Sequence, residues 1–195
     1  WVAMTHARPG PAYVEIPENV LFDQGEAEVA PAANPPHPAG SPDEVDKILS
    51  LILEARRPLV YVGGGAARSG AGAELARLIE KLSLPVVSTI HGKGVVAEDH
   101  ELSGGVIPVG DPTYRSIIAQ ADLLLALGTG FSQYSTGSWR MPYPSQLVHV
   151  DIDGSQVGRS VPASLGVVGD VRAVLAELNA AAADVKTRLP SAWTQ

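Results

Sequence analysis

The chain contains no cysteine, so disulfide bonds, thiolate catalysis and cysteine-ligated metal centres are excluded. Positive charge is also scarce, because 14 lysines and arginines face 21 acidic residues and the formal net charge is −7. With no basic cluster in the sequence, a nucleic-acid-binding surface is disfavoured. No apolar run approaches membrane-spanning length and no secretory signal is visible, so we expect a cytoplasmic protein with no membrane partner.

Three consecutive glycines, Gly63, Gly64 and Gly65, follow a short apolar run about a third of the way along the chain. Residues 59–62 are apolar without interruption, which is typical of a parallel strand covered on both faces. Residues 70–82 carry leucine and isoleucine at helical spacing and predict a helix against the sheet. The glycines allow positive φ and close backbone approach, and such a turn can offer free N–H groups to a phosphate.

The glycine turn alone leaves two interpretations open. Gly63 and Gly65 match the first two glycines of the dinucleotide-binding pattern G-x-G-x-x-G, but Arg68 occupies the third glycine position. In one interpretation, Arg68 pairs with a phosphate of a bound nucleotide. In the other, the glycines only form a tight turn and the guanidinium of Arg68 is solvated.

Apolar runs and amphipathic helices alternate along the rest of the chain. Further strands are predicted at residues 84–88, 122–127, 146–153 and 165–169. Helices are predicted after Ser41, which begins a capping box with Glu44, at residues 111–120, and after the N-cap Asp170. The pattern predicts an α/β fold with a doubly wound, mostly parallel six-stranded sheet and helices on both faces, Rossmann-like and of the kind that binds NAD or FAD.

The first forty residues and one internal segment fit this alternation less well. Residues 12–17 are typical of a short strand that Pro17 ends, and such a strand needs a sheet to join. Residues 27–41 contain four prolines and no periodicity, which is typical of an extended linker. Residues 95–105 show no strand or helix pattern and are predicted as a loop.

In a doubly wound sheet, ligands bind beyond the carboxyl ends of the strands, near the point where strand order reverses. The candidate cleft is therefore lined by residues 63–65, 89–94 and 128–130 and by Asp151. An acid at the position of Asp151 can bind ribose hydroxyls or can cap the following turn, and both alternatives stay open. His149 lies on the same strand face, where a core histidine bonded to backbone is favoured over a metal ligand.

Other polar and aromatic residues have weaker functional interpretations. His91 and Lys93 flank a loop glycine and are suited to catalysis or phosphate binding, or equally to solvated or interdomain contacts. The absence of a G-x-S-x-G motif disfavours a hydrolase triad. Three aromatic side chains between residues 131 and 145 either pack a loop or stack on a planar ligand, and packing is favoured: Tyr134, Trp139 and Tyr143.

An ordered set of motifs resembles the acetolactate synthase-like thiamine diphosphate-dependent enzymes. Residues 8–17 look like the end of that family's pyrimidine-binding domain, and five later segments look like its central domain. Those segments are the R-P run through Gly65, H-G-K-G with E-D-H at 91–100, A-D-L through Gly128 and Thr129, H-V-D-I-D at 149–153, and V-G-D at 168–170. The motifs occur in the family's order and cover nearly the whole chain.

The resemblance implies a multidomain enzyme with thiamine diphosphate and magnesium bound outside this chain, between the pyrimidine- and diphosphate-binding domains. It assigns this chain no catalytic residue and no metal ligand, and it implies a scaffold that is inactive alone. The domains expected are residues 1–26 as the end of the preceding domain, 27–41 as linker, 42–184 as central domain and 185–195 as a tail. The expected partners are the flanking domains of the same chain, in a parent that is a homodimer or homotetramer.

Some members of that family hold FAD or an ADP-like group in the central domain. The positions that resemble FAD-contacting ones are Gly63, Gly64, Gly65, Thr89, Gly128, Thr129, Asp151 and Asp170. Two departures disfavour FAD here: Gly130 stands where an arginine often follows the third glycine turn, and residues 105–110 lack a G-M-H-G run. The alternative from another class is an independent NAD- or FAD-binding module, which the fold alone does not exclude.

Overall fold

The computed structural model describes residues 2–5, 7–31, 36–107, 111–186 and 193, and the chain divides into two compact units, residues 1–36 and 37–195. In the first unit, the described residues form two single-turn helices, α1 (Val2–Thr5) and α2 (Glu18–Leu21). The strand predicted at residues 12–17 is wrong, because this segment pairs with no strand and leaves Tyr13 and Val14 exposed. An isolated strand has no partner for its backbone hydrogen-bonding groups.

The second unit alternates strands and helices. Its helices are α3 (Pro42–Glu54), α4 (Gly64–Arg68), α5 (Gly72–Leu82), α6 (Pro112–Gln120) and α7 (Val171–Ala181), with a 3₁₀ turn at Ile90–Gly92. Its strands are β1 (Pro58–Val62), β2 (Val86–Ser88), β3 (Ser103–Val106), β4 (Leu123–Leu127), β5 (Leu147–Asp151) and β6 (Leu165–Val168). The predicted tail 185–195 lies, apart from residues 185, 186 and 193, outside the described residues.

The six strands form one sheet in the order β3-β2-β1-β4-β5-β6, and every neighbouring pair is parallel. This confirms the predicted doubly wound α/β fold. The strand order reverses between β1 and β4, which pair in register from Pro58 with Leu123 to Val62 with Leu127. The carboxylate of Asp122 accepts the backbone amides of Arg56 (2.7 Å) and Arg57 (2.8 Å), so it joins the starts of these two strands.

Alternate residues of β1 belong to two separate hydrophobic cores. Val60 and Val62 pack with α3, α5 and α7 on one face of the sheet, while Leu59 and Tyr61 pack on the other face with Ile118 of α6. All five residues of β1 are buried, and so are all five of β4. Continuous apolar runs therefore mark strands covered on both faces, as the sequence indicates.

Side chains cap the starts of three helices, and the caps at Ser41 and Asp170 confirm those predicted from the sequence. The hydroxyl of Ser41 accepts the amide of Glu44 while the Glu44 carboxylate accepts the amide of Ser41, which completes the capping box of α3. Asp111 and Asp170 cap α6 and α7 through their carboxylates. The end of the predicted linker packs on this unit, since the carbonyl of Pro38 accepts the amide of Asp170 at 2.7 Å.

One local expectation was wrong, and one short helix was missed. The segment predicted as a loop at residues 95–105 contains the start of the edge strand β3 (Ser103–Val106), whose two glycines and irregular register give no alternating pattern. The helix predicted at residues 70–82 is confirmed as α5, which begins at Gly72 after Gly70 takes a positive φ of 66°; the short helix α4, which ends at Arg68, was not predicted.

Candidate functional site

Three turns leave the sheet side by side at the carboxyl ends of β1, β2 and β4. The amide of Gly63 donates to Leu127 O (2.9 Å), and the amide of Thr89 donates to Val62 O (2.8 Å). The amide of Gly128 donates in the same way to Val150 O (2.8 Å). These bonds extend the sheet ladder past the strand ends, so the predicted cleft residues of the three turns lie next to one another.

Gly63 and Gly65 press against the turn after β4 rather than leaving space for a ligand. A Cβ on Gly63 would lie 2.3 Å from the carbonyl oxygen of Gly128, and a Cβ on Gly65 would lie 2.7 Å from the Cα of Gly128. The amide of Gly65 also donates to Gly128 O at 2.8 Å. Gly63 has an extended φ of −113° and Gly64 and Gly65 are helical, so the positive φ expected at these glycines was wrong. Their glycine requirement comes from close backbone approach.

Gly64 faces the other neighbouring turn. A Cβ on Gly64 would lie 2.9 Å from the Cβ of His91 and 3.4 Å from a guanidinium nitrogen of Arg68. Arg68 and His91 are exposed, and Lys93 pairs with Glu98 at 3.2 Å. Arg68 makes no hydrogen bond or ion pair with the part of the chain that is described, so its guanidinium is solvated here.

The two threonines of the predicted set are nearly buried and serve their own turns. The hydroxyl of Thr89 accepts the amide of Gly92 (3.2 Å), and that of Thr129 accepts the amide of Phe131 (3.4 Å). Gly128 adopts a φ of 59°, which glycine tolerates best. Both hydroxyls therefore fix turn geometry.

His149 is a structural histidine. The amide of Gly158 donates to its Nδ1 (3.2 Å), so the ring proton is on Nε2 and is donated to the carbonyl of Thr129 (2.9 Å). Burial lowers the pKa of the imidazole below its ordinary 6.5, against smaller raising effects from that carbonyl and from Asp151. The neutral ring joins the turns after β4 and β5, which agrees with the favoured interpretation from sequence.

The carboxylates of Asp151 and Asp170 each accept a backbone amide from the segment that follows them in the chain. Asp151 is nearly buried and its Oδ1 accepts the amide of Asp153 (3.0 Å), while Asp170 Oδ1 accepts the amide of Ala173 (3.0 Å). Asp170 follows β6, three strands away from β1, or about 14 Å at the usual strand spacing. Gln156, also near Asp151 in the chain, has a buried Oε1 without a hydrogen-bond partner among the described atoms.

The aromatic residues of the segment 131–143 divide into packed and exposed ones. Phe131 stacks on Tyr61 with ring centroids 5.7 Å apart and meets Tyr143 edge-on at 5.2 Å. Burial raises the pKa of the Tyr143 phenol well above its ordinary value. Tyr134 and Trp139 are exposed, at 61% and 56%. Packing therefore explains Tyr143 only.

The glycine cluster, formed by Gly63, Gly64, Gly65 and Gly128, is poorly suited to bind a phosphate group. The space that Gly63 and Gly65 free by lacking a Cβ is filled by the backbone of residues 128–129. Gly130 brings no cation to the same turn. Within the described residues, no group of three histidine or acidic side chains converges as metal ligands, and no helix is long and apolar enough to cross a membrane. The cluster fixes the relative positions of β1, β2 and β4.

Sequence reasoning missed a second polar group, formed by Arg115 of α6 and Arg140 of the 131–143 segment, which line one cavity. Arg115 lies on the polar side of an ordinary amphipathic helix, and residues 131–145 have no periodicity. No signal in the sequence indicated that the two arginines would meet.

Comparison with known families places the second unit. The family described as thiamine pyrophosphate enzyme, central domain, matches residues 45–178, which is more than half of the chain. The chain belongs to this family. The matched residues run from the first turns of α3 to the last turns of α7, so the central-domain match covers the whole sheet.

Relatives of this central domain include enzymes of two names. A probable acetolactate synthase large subunit of Methanocaldococcus jannaschii is 34% identical over 98% of this chain and 34% of its own length. The acetolactate synthase of Arthrospira platensis is 35% identical over 88% of this chain and 31% of its own length. Glyoxylate carboligase of Escherichia coli O157:H7 is 32% identical over 96% of this chain and 33% of its own length. The chain thus spans about a third of the length of these relatives.

Proposed function

We propose that this chain is the central domain of a thiamine diphosphate-dependent 2-oxo acid carboligase or decarboxylase, a transferase or lyase, and serves there as a scaffold. The family match over residues 45–178 and the names of the relatives support the enzyme class. The observation that carries the scaffold role is the backbone packing of Gly63 and Gly65 on Gly128. The glycine cluster joins the carboxyl ends of three strands, and its residues carry no nucleophilic or basic side chain.

In this proposal the cofactor and its magnesium are bound by flanking pyrimidine- and diphosphate-binding domains. Thiamine diphosphate would supply carbanion-stabilising chemistry for the 2-oxo acid, and in this proposal the chain contributes none of the groups that hold the cofactor. Residues 1–26 belong to the end of the preceding domain, 27–41 to a linker and 185–195 to a tail. The parent is a cytoplasmic homodimer or homotetramer.

The activity of the isolated chain tests this assignment. With thiamine diphosphate, magnesium and pyruvate, the purified 195-residue chain should release no carbon dioxide and form no acetolactate. The full-length acetolactate synthase of Arthrospira platensis is the positive control in the same assay. Calorimetric titration with thiamine diphosphate should give no binding heat. Turnover by the isolated chain, or saturable cofactor binding, would overturn the scaffold role.

The alternative function, an independent NAD- or FAD-binding module, is disfavoured by the filled glycine cradle and by Gly130. Titrations with FAD, NAD and ADP should show no saturable binding, and the purified protein should carry no flavin absorbance. Flavin copurifying in near-stoichiometric amount would show that the turns after β1 and β4 separate to admit a diphosphate. The thiamine diphosphate measurements are independent of this outcome.

A further inference from the structure

A cavity of about 630 Å³ lies between α6 and the segment 131–143, away from the glycine cluster. Its wall includes Asp111, Arg115, Tyr134, Ser138, Arg140 and Met141. The volume falls in the range of small-molecule sites, roughly 300–1,000 Å³, which combine apolar walls with a few placed polar groups. The scaffold role proposed above makes no use of this cavity.

The two arginines of the cavity are held in place but are not neutralised. A guanidinium nitrogen of Arg115 donates to the carbonyl of Arg140, and Nε of Arg140 donates to the carbonyl of Gly137 at 3.2 Å. Neither guanidinium pairs with a carboxylate within the described ranges. Asp111 lines the same wall, but its Oδ1 accepts the amide of Thr113. The cavity thus holds two cations and one acid in a chain whose net charge is −7.

The loop that carries Arg140 has a strained backbone. Gly137, Ser138 and Trp139 have successive φ values of 56°, 59° and 58°, and the left-handed region suits only the glycine. The hydroxyl of Thr136 stabilises this conformation by accepting the amide of Trp139 at 2.9 Å. Strain of this kind is concentrated at ligand sites, where it fixes side chains in a binding geometry.

We propose that this cavity binds a small organic oxyanion, a carboxylate or a phosphate ester, through Arg115 and Arg140. The planar guanidinium matches both oxyanions by forming paired N–H···O bonds, and each arginine has donors left after its backbone contact. Ser138 supplies a further hydroxyl, and Tyr134 and Met141 supply the apolar wall for the organic part. The backbone contacts set the positions of both cations before the ligand enters, which reduces the entropy cost of binding.

Calorimetric titrations with succinate, inorganic phosphate and neutral succinamide test the proposal and distinguish the two oxyanions. We expect saturable binding of one or both anions, no binding of succinamide, and weaker binding in about 0.2 M than in about 0.02 M salt, since salt screens exposed charge. The anion that binds more tightly shows whether the ligand is a carboxylate or a phosphate ester. Absence of saturable binding by both anions, or equal binding of succinamide, would overturn the proposal.

Variants assign the binding to the two arginines. Arg115→Gln and Arg140→Gln should each lower the affinity for the anion about tenfold or more. Arg172→Gln should change that affinity less than roughly twofold. Arg172 is exposed on α7, so this control makes the same change in net charge. Arg140→Lys keeps the cation and should bind with intermediate affinity, with unchanged thermal midpoint. Equal losses of anion affinity in the Arg172 and Arg115 variants would show that only net charge matters, and would overturn the proposed site.

Discussion

The amide of Gly65 donates to the carbonyl of Gly128 at 2.8 Å, and the same two residues approach so closely that a Cβ on Gly65 would lie 2.7 Å from the Cα of Gly128. Hydrogen bond and backbone contact together join the turn after β1 to the turn after β4. These are the strands between which the order of the sheet reverses. A pattern that resembles a nucleotide-binding loop is thereby used for internal packing.

Gly65→Ala should destabilise the protein by about 1–3 kcal/mol, because the added methyl group forces the two turns apart. Urea unfolding measures the change as a lower midpoint with an unchanged slope. Gly10→Ala is the control, since a Cβ there meets no atom within 4 Å and its φ is not positive. That variant should remain within about 0.5 kcal/mol of the wild type. Equal midpoints for both variants would show that the turn contact contributes nothing.

Val60→Asp should prevent folding. Val60 is 1% exposed in the central strand β1, where an aspartate would bury an unpaired charge in the larger core. Glu177→Ala, on the exposed side of α7, should leave the thermal midpoint nearly unchanged. Circular dichroism melts of both variants provide the measurement. A cooperative melt of the aspartate variant near the wild-type midpoint would contradict the burial of β1.

Acid should weaken the fold through His149. Its pKa is lowered in the folded state, so the unfolded chain binds more protons as the pH falls below the ordinary value of 6.5. The stabilising contribution of the neutral ring is complete above that pH and declines below it, by at most about 1.4 kcal/mol per pH unit. Urea midpoints between about pH 7.5 and about pH 5.5 follow the loss, before carboxylates titrate.

Two variants isolate this histidine. His149→Gln removes the titrating group, so its stability should be lower at neutral pH but flatter across the same range. His91→Gln, at an exposed position, should retain the wild-type slope. If the wild type and the His149 variant lose stability in parallel on acidification, another group is responsible.

Asp122→Ala should destabilise the fold by about 1–3 kcal/mol, because the backbone amides of Arg56 and Arg57 lose a charged acceptor. Asp46→Ala makes the same charge change on the exposed side of α3 and should have little effect. Denaturant unfolding of the two variants gives the comparison. A result in which Asp46→Ala costs as much as Asp122→Ala would mean that lost negative charge, rather than the strand junction, matters.

The sheet could be predicted because its central strands are apolar on both faces and its helices begin at clear capping residues. Ser41 with Glu44, Asp111 and Asp170 mark three helix starts from local hydrogen-bonding chemistry alone. The edge strand β3 could not, since Gly104 and Gly105 have no strand preference and pairing with β2 decides its conformation. For the same reason residues 12–17 form no strand, since no neighbouring strand pairs with them.

The candidate site was predictable in place but not in role. Topology brings Gly63, Thr89 and Gly128 to one edge of the sheet, and the sequence indicates this through three strand-to-glycine junctions. Whether a glycine frees space for a ligand or for its own chain depends on distances across the turns. The meeting of Arg115 and Arg140 depends on the irregular path of residues 131–143, which no periodicity describes.

The position of β1 between β2 and β4 also affects how the chain is made. β2 follows β1 within about thirty residues, but β4 begins at Leu123, some sixty residues after β1 ends. At a synthesis rate of about 5–20 residues per second, one side of β1 waits roughly 3–12 s for its partner to leave the ribosome. During that interval an apolar strand edge is open to other nascent chains, and the arrival of β4 closes it.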